Sequence, residues 1–291
     1  MPFSRAIFIP FCLLKSQSLA QLFTALYDTV SSRAATPLST FSAHSQLHST
    51  VGYNSRSLDL SKDGWKLIAF NFETVGETDT GVAFDRVLNV TGIQPVSFDD
   101  ATINDKGARI MLRDPQTGDY TDFIYINDAG ENYDETGWAD TGDGFLVDGK
   151  IKVDLGFGAW LRLGDDVDEG VLNVAGEVIG DSSVRVDFYA GWSILANPYP
   201  FAIDLSKITT LVDPVSFDQA TINDAGARIM IREETTGSYT DYIYINDAGE
   251  NYDETGWADT GDGFIITGNV IPVGHAFWMR SEKDGALKFE L

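Results

Sequence analysis

The sequence predicts an all-β protein, built as two tandem homologous β-sandwich-like domains behind an N-terminal leader, with a β-barrel as the alternative architecture. Three observations lead there. Apolar segments rich in Val, Ile, Phe, Tyr and Trp alternate with period two and are bounded by Gly, Asp and Asn clusters. They follow one another at the spacing of roughly 10 residues typical of sandwiches and barrels. A long block of the chain also occurs twice. No stretch carries a sustained helical stripe; the nearest, Leu19 to Val30, lies in the leader.

The leader comes first. Arg5 precedes the apolar run Ala6-Ile7-Phe8-Ile9-Pro10-Phe11-Cys12-Leu13-Leu14, and Ser18-Leu19-Ala20 supplies small residues after it. This pattern predicts a secretory signal over residues 1–20 with cleavage after Ala20, although Pro10 interrupts the run and a mis-assigned start remains the alternative. The run is too short to span a bilayer. Residues 21–49, rich in Ser, Thr and Ala from about residue 28, predict a linker. Cys12 is the sole cysteine, which excludes an internal disulfide and a zinc site built on cysteines.

The duplication sets the domain organisation. Residues 95–145 realign on 214–264 at a constant offset, with 43 of 51 positions identical. The flanks correspond more loosely. Gly64-Trp65-Lys66-Leu67 answers Gly191-Trp192-Ser193-Ile194, and Trp160 falls on Trp278 with Phe157 on His275. The expected domains are residues 50–181 and 182–291.

Within each copy the strand signals are direct. Ala108 to Arg113 and Tyr120 to Ile126 flank the turn-forming Asp114-Pro115-Gln116-Thr117-Gly118-Asp119, which predicts a hairpin. In the second of these segments Ile124 and Ile126 point one way while Phe123 and Tyr125 point the other. Both faces of that strand are therefore expected to be covered.

Certain short elements carry a resemblance. Val51-Gly52-Tyr53 leads into Gly64-Trp65, Gly191-Trp192 is followed by Asn197-Pro198-Tyr199-Pro200, and each copy has a late Gly-x-x-Phe/Trp strand. In these the chain resembles an uncharacterised group of secreted bacterial β-domains that open on a Gly-Trp strand and close on a Gly-x-(Ala/Gly)-Phe-Trp strand. The first copy departs from it, with Phe70-Asn71-Phe72-Glu73 where the second has Asn197-Pro198-Tyr199-Pro200. The resemblance implies export and a place at the cell surface or outside the cell. It brings no active site with it.

Charge excludes several functions. Acidic residues number 44 against 20 basic ones, for a net charge of −24, and such a surface repels nucleic acid and anionic membrane. The charge is concentrated: the two copies of the 51-residue block carry −9 each. Catalytic patterns are sparse. The histidines are His44 and His48 in the linker and His275 beside an aromatic strand, where a packing role is expected. There is no Gly-x-Ser-x-Gly elbow, phosphate-binding glycine loop or His-x-x-x-His pair. Paired carboxylates keep a secreted hydrolase as a third reading, with Asp134 and Asp253 its natural candidates.

The acidic loop running from Asn127 to Gly144, repeated without change from Asn246 to Gly263, is the best candidate site. Asn132, Asp134, Thr136, Asp140 and Asp143 fall at positions 1, 3, 5, 9 and 12 of a calcium loop, with Gly137 at position 6 and the Trp138 carbonyl at position 7. Their counterparts are Asn251, Asp253, Thr255, Asp259, Asp262 and the Trp257 carbonyl. Asn at position 1, Asp rather than Glu at position 12, and strand-like flanks depart from that pattern. The competing reading is a solvated hairpin loop, since turns use these same residues. Trp138 is expected in the core and Tyr133 at the surface.

Together these features lead to an expected non-enzymatic, exported tandem-repeat β-protein, structural or adhesive, that binds no cofactor. Its partner is undefined, self-association or a surface polymer being the options. The alternative is a calcium-dependent module whose ligand could be carbohydrate.

Overall fold

The computed structural model of the chain describes residues 51–59, 64–74, 82–164, 167, 169–234, 236–249 and 253–291. The expected signal peptide, the linker with His44 and His48, Cys12 and Asn251 lie outside these residues. The described part is all-β, and no sheet closes into a barrel.

The first copy contains β1 (Val51–Asp59), β2 (Trp65–Ala69), β3 (Val82–Ala83), α1 (Phe84–Val87), β4 (Leu88–Thr91), α2 (Phe98–Ile103), β5 (Arg109–Arg113), β6 (Tyr120–Ala129), β7 (Glu135–Asp140), β8 (Lys152–Val153), β9 (Gly158–Arg162) and β10 (Glu169–Glu177). The second contains β11 (Ser183–Phe188), β12 (Gly191–Ala196), β13 (Ile203–Asp204), a 3-10 turn (Leu205–Lys207), β14 (Ile208–Thr210), α3 (Phe217–Ile222), β15 (Arg228–Arg232), β16 (Tyr239–Ala248), β17 (Glu254–Asp259), β18 (Val270–Ile271), β19 (Ala276–Ser281) and β20 (Gly285–Glu290).

The strand orders repeat. A five-stranded sheet runs β2-β9-β5-β6-β7 in the first copy and β12-β19-β15-β16-β17 in the second. A three-stranded sheet runs β1-β10-β4 and β11-β20-β14, and a short pair joins β3 to β8 and β13 to β18. All ladders are antiparallel. The predicted hairpin forms: β5 pairs with β6 from Arg109↔Ile124 to Arg113↔Tyr120. Asp114 closes its turn by accepting hydrogen bonds from the Gln116 and Thr117 amides at 2.7 and 2.9 Å. Those amides also hold the Asp114 carboxyl below its ordinary pKa.

Period-two alternation decides what each face meets. Leu58, Val90, Leu172 and Val174 from the three-stranded sheet pack on Ile68, Ile110, Phe123, Trp138 and Leu161 from the five-stranded sheet. The second copy repeats this core with Val186, Phe188, Leu287 and Phe289 over Ile229, Tyr242, Trp257, Phe277 and Met279. The opposite face of the larger sheet is also apolar, as the doubled alternation of β6 requires. Ile124, Ile126 and Ala139 lie beneath α2 and Leu146, and Ile243, Ile245 and Ala258 meet α3 and Ile265 in the same way.

The helices are too short to show a stripe, but α3 carries a capping signal at its start. Ser216 accepts from the Gln219 amide while the Gln219 side chain accepts from the Ser216 amide, a capping box. In α2 the equivalent Ser97 accepts from the Asp100 amide at 3.1 Å.

Trp257 ties the two layers of the second sandwich. Its buried indole N–H donates to the Ile208 carbonyl on β14 at 2.8 Å. Trp257→Phe keeps most of the packing and strands that carbonyl in the core, so about 1–3 kcal/mol of unfolding free energy is expected to be lost. Trp257→Ala adds a cavity and is expected to cost about 3–5 kcal/mol. Urea unfolding of the full chain measures both, and equal losses for the two variants would contradict this account.

Candidate functional site

The acidic loop is divided. Residues 135–140 form β7, so Thr136, Trp138 and Asp140 lie on a strand, with Asn132 and Asp134 before it and Asp143 in the turn after it. Gly137, read from its position as the turn-making glycine of a metal loop, lies within that strand instead. A Cβ there would come within 2.9 Å of the Leu146 side chain, so its role is to admit Leu146 against the sheet.

Several of the ligand groups assigned from the spacing have other partners. The Trp138 carbonyl accepts from the Val147 amide at 3.0 Å, and the Trp257 carbonyl accepts from Ile266 at 2.9 Å. Asp140 Oδ1 accepts from the Gly142 amide at 2.6 Å and Asp143 Oδ1 from the Phe145 amide at 3.0 Å. The second copy repeats both bonds, Asp259 with Gly261 at 2.7 Å and Asp262 with Phe264 at 3.1 Å. These are the local turn closures that Asx residues make. Asn132, Asp134 and Thr136 are exposed, as are Asp253 and Thr255. Among the described residues no group of three or more His, Cys, Asp or Glu side chains could hold a metal.

The start of the loop is occupied structurally as well. A bulge in β6 shifts the register between Ile126 and Ala129. It lets the Asn127 amide bond to Val96 at 3.0 Å and lets Asp128 Oδ1 accept from the Phe98 amide at 2.7 Å. Asp128 thus anchors α2, and Asp247 anchors α3 through Phe217 at 2.7 Å. Both aromatic expectations hold: Trp138 is 8% exposed and stacks at a tilt on Tyr125, while Tyr133 is 76% exposed with φ of 56°.

The most unusual chemistry lies elsewhere, where the two copies meet. Leu67 and Ala69 of the first copy pack on Ile194, Ala196 and Ala276 of the second, flanked by Trp160 and Trp278 with ring centroids 6.4 Å apart. Backbone bonds cross this junction reciprocally. The Ala69 amide donates to Gly274 at 3.1 Å and the Ala196 amide donates to Gly156 at 2.6 Å. Arginines cross it reciprocally too. Arg232 donates to the Trp65 carbonyl at 3.1 Å, and Arg113 donates to the Trp192 carbonyl. Each guanidinium lies over a tryptophan, Arg232 over Trp160 and Arg113 over Trp278.

On one side of the junction, Arg56, Lys66, Arg232, Glu234 and His275 line a small cleft. Lys66 is 2% exposed and donates to the Glu234 carbonyl at 3.0 Å. Arg56 forms an ion pair with the Glu234 carboxylate and donates to the Gly274 carbonyl at 2.7 Å. Burial pushes the Arg56 pKa down to about 9, which leaves it charged at neutral pH. Burial first, and the Arg56 charge second, hold His275 down at about 3, so its imidazole is neutral. Glu234 lies 3.9 Å from that ring, but its carboxylate is already engaged by Arg56. Sequence reasoning placed His275 correctly as a packing residue and missed the cluster around it. Its members are scattered from residue 56 to residue 275, and no spacing links them.

The His275 shift has a measurable consequence. The unfolded imidazole gains its proton near pH 6.5, while the folded one resists protonation down to about pH 3. Stability is therefore expected to fall as the pH drops through that window, by at most about 1.4 kcal/mol per pH unit from this group. His275→Phe, which installs the residue type of Phe157, should flatten that part of the profile. Denaturant titrations of both proteins between pH 7 and pH 4 test this, and parallel profiles would refute it. Comparison of the chain with protein-family models and with curated proteins finds no match, so function has to be read from these residues alone.

Proposed function

We propose that the protein is a non-enzymatic, exported tandem-repeat β-protein that serves a structural or adhesive role at the cell surface or in the extracellular matrix. The observation that carries this reading is the use the chain makes of its acids. In both copies the carboxylates of the acidic loop close turns or stand in solvent, Asp128 and Asp247 anchor a helix, and others in the block, Asp105, Asp122, Asp224, Asp241 and Glu234, pair with arginines. None of the loop acids has the apolar setting that separates a general acid from a general base. His275 is neutral and sits among cations, where it does not serve as a base for a nucleophile.

The acidic surface then has a physical task. β7 and β17 are edge strands of the five-stranded sheets, and edge strands invite association with other chains. Glu135, Thr136, Glu254 and Thr255 are exposed on them, and the carboxylates repel other edges. A fixed pair of such surfaces also offers two equivalent contacts to an extended partner, with avidity gained only if both engage at once. Among the described residues no helix is long and apolar enough to cross a membrane.

Export is tested by expressing the full chain in a bacterial host, fractionating the culture and sequencing the N-terminus. The expected product is extracellular and begins after Ala20; an intact Met1 confined to the cytosol would overturn that part of the proposal. The metal-free reading is tested by calorimetric melting with millimolar calcium against chelator. No shift is expected. A bound ion at about 100 times its dissociation constant would add roughly 2.7 kcal/mol and restore the calcium-dependent alternative.

A further inference from the structure

The junction is reciprocal in its backbone and arginine contacts but not in its charges, and the sequence differences between the copies gather there. Residues 95–145 and 214–264 differ at eight positions, and four of these are Leu112, Asp114, Pro115 and Gln116 against Ile231, Glu233, Glu234 and Thr235. Leu112 and Ile231 lie near the ends of β5 and β15, and Asp114, Pro115, Gln116, Glu233 and Glu234 belong to the hairpin turns that follow. That hairpin reaches the other copy: Gln116 donates to the Tyr189 hydroxyl at 2.7 Å, and Glu234 meets Arg56 and Lys66. By contrast, residues 124–145 and 243–264 are identical, and they form the strands furthest from β2 and β12 in each sheet.

Other differences compensate within one copy. Lys106 and Asp100 form an ion pair at 3.4 Å, where the second copy has Ala225 and the capping residue Gln219. Phe123 is answered by Tyr242, whose hydroxyl accepts from Asn269 at 3.1 Å. The change from Pro115 to Glu234 is instead matched across the junction. The Glu234 carboxylate pairs with Arg56, and its backbone carbonyl accepts from Lys66, whose counterpart Ser193 is buried with a hydroxyl that has no partner among the described residues. One half of a nearly two-fold junction therefore carries the buried Arg56 and Lys66 beside a half-buried carboxylate, and the other half carries Ser193 and Pro115.

We propose that Glu234, its carboxylate held by Arg56, is a copy-specific key that makes the hairpin turn of the second repeat recognise the first. Pairing of two first copies would set the buried Arg56 opposite Pro115, which has no carboxylate, and pairing of two second copies would leave Glu234 without Arg56. Neither arrangement satisfies the buried charge, and an uncompensated buried charge is strongly unfavourable. The key thus favours first-with-second pairing over like-with-like pairing, the role for which buried polar groups are best attested.

The test uses the full chain. Glu234→Lys places a third cation beside Arg56 and Lys66. It is expected to open the junction, seen as a larger radius of gyration in solution scattering and as a single calorimetric transition splitting in two. Arg56→Glu combined with Glu234→Lys should restore the parent radius and the single transition. Pro115→Lys, at the equivalent turn position of the other half, should leave both unchanged. An E234K protein as compact and cooperative as the parent would overturn the proposal. So would a double variant that fails to recover, or a P115K protein that opens to the same extent.

Discussion

The closest approach between the two copies constrains much of the molecule. Gly158 on β9 lies so near β19 that a Cβ built there would come within 2.3 Å of the Ala276 Cβ and 2.9 Å of the Ile68 carbonyl oxygen. Only small residues allow two sheets to meet at that distance, and Ala69, Ala196 and Ala276 supply the rest of the contact. The reciprocal bonds from Ala69 to Gly274 and from Ala196 to Gly156 satisfy backbone groups that this contact removes from water. Because the sheets meet through their backbones, the larger side chains at the margin have nowhere to go but along the seam. The tryptophans and arginines lie there, and the Lys66 ammonium and Arg56 guanidinium are drawn out of solvent with them.

Each sandwich solves a separate problem. Its five-stranded sheet is apolar on both faces, so one three-stranded partner cannot cover it. The fold covers the second face in two portions, a capped six-residue helix over β6 and β7 and the other copy over β2 and β9. Asp128 and Asp247 hold those helices through single backbone amides. The same chemistry helps so acidic a block to fold twice. Some of its carboxylates satisfy N–H groups that turns would otherwise leave open, and others pair with arginines.

Much of this was legible in particular residues. Phe123-Ile124-Tyr125-Ile126 announced a strand covered on both sides, and Asp114 to Asp119 announced the hairpin that closes on it. The helix α3 was not read from the sequence, because a helix of that length shows no apolar period; only the Ser216 and Gln219 cap marks it. The spacing from Asn132 to Asp143 suggested a metal loop because position along the chain cannot show that a strand intervenes. Once β7 forms, its carbonyls are committed to neighbouring strands and Gly137 becomes a point of close packing.

The sequence by itself determined the period of the strands, the duplication, the turns and the location of the negative charge. All of these follow from neighbours within a few residues or from direct comparison of the copies. Only the tertiary structure decided how the two copies meet and which acids have work to do there. That outcome depends on which small residues fall opposite one another after both sheets have formed. It brings Arg56, Lys66, Glu234 and His275 together from four separate parts of the chain. A buried charge has a partner only where the fold supplies one, and the partner of Lys66 and Arg56 lies in the other repeat.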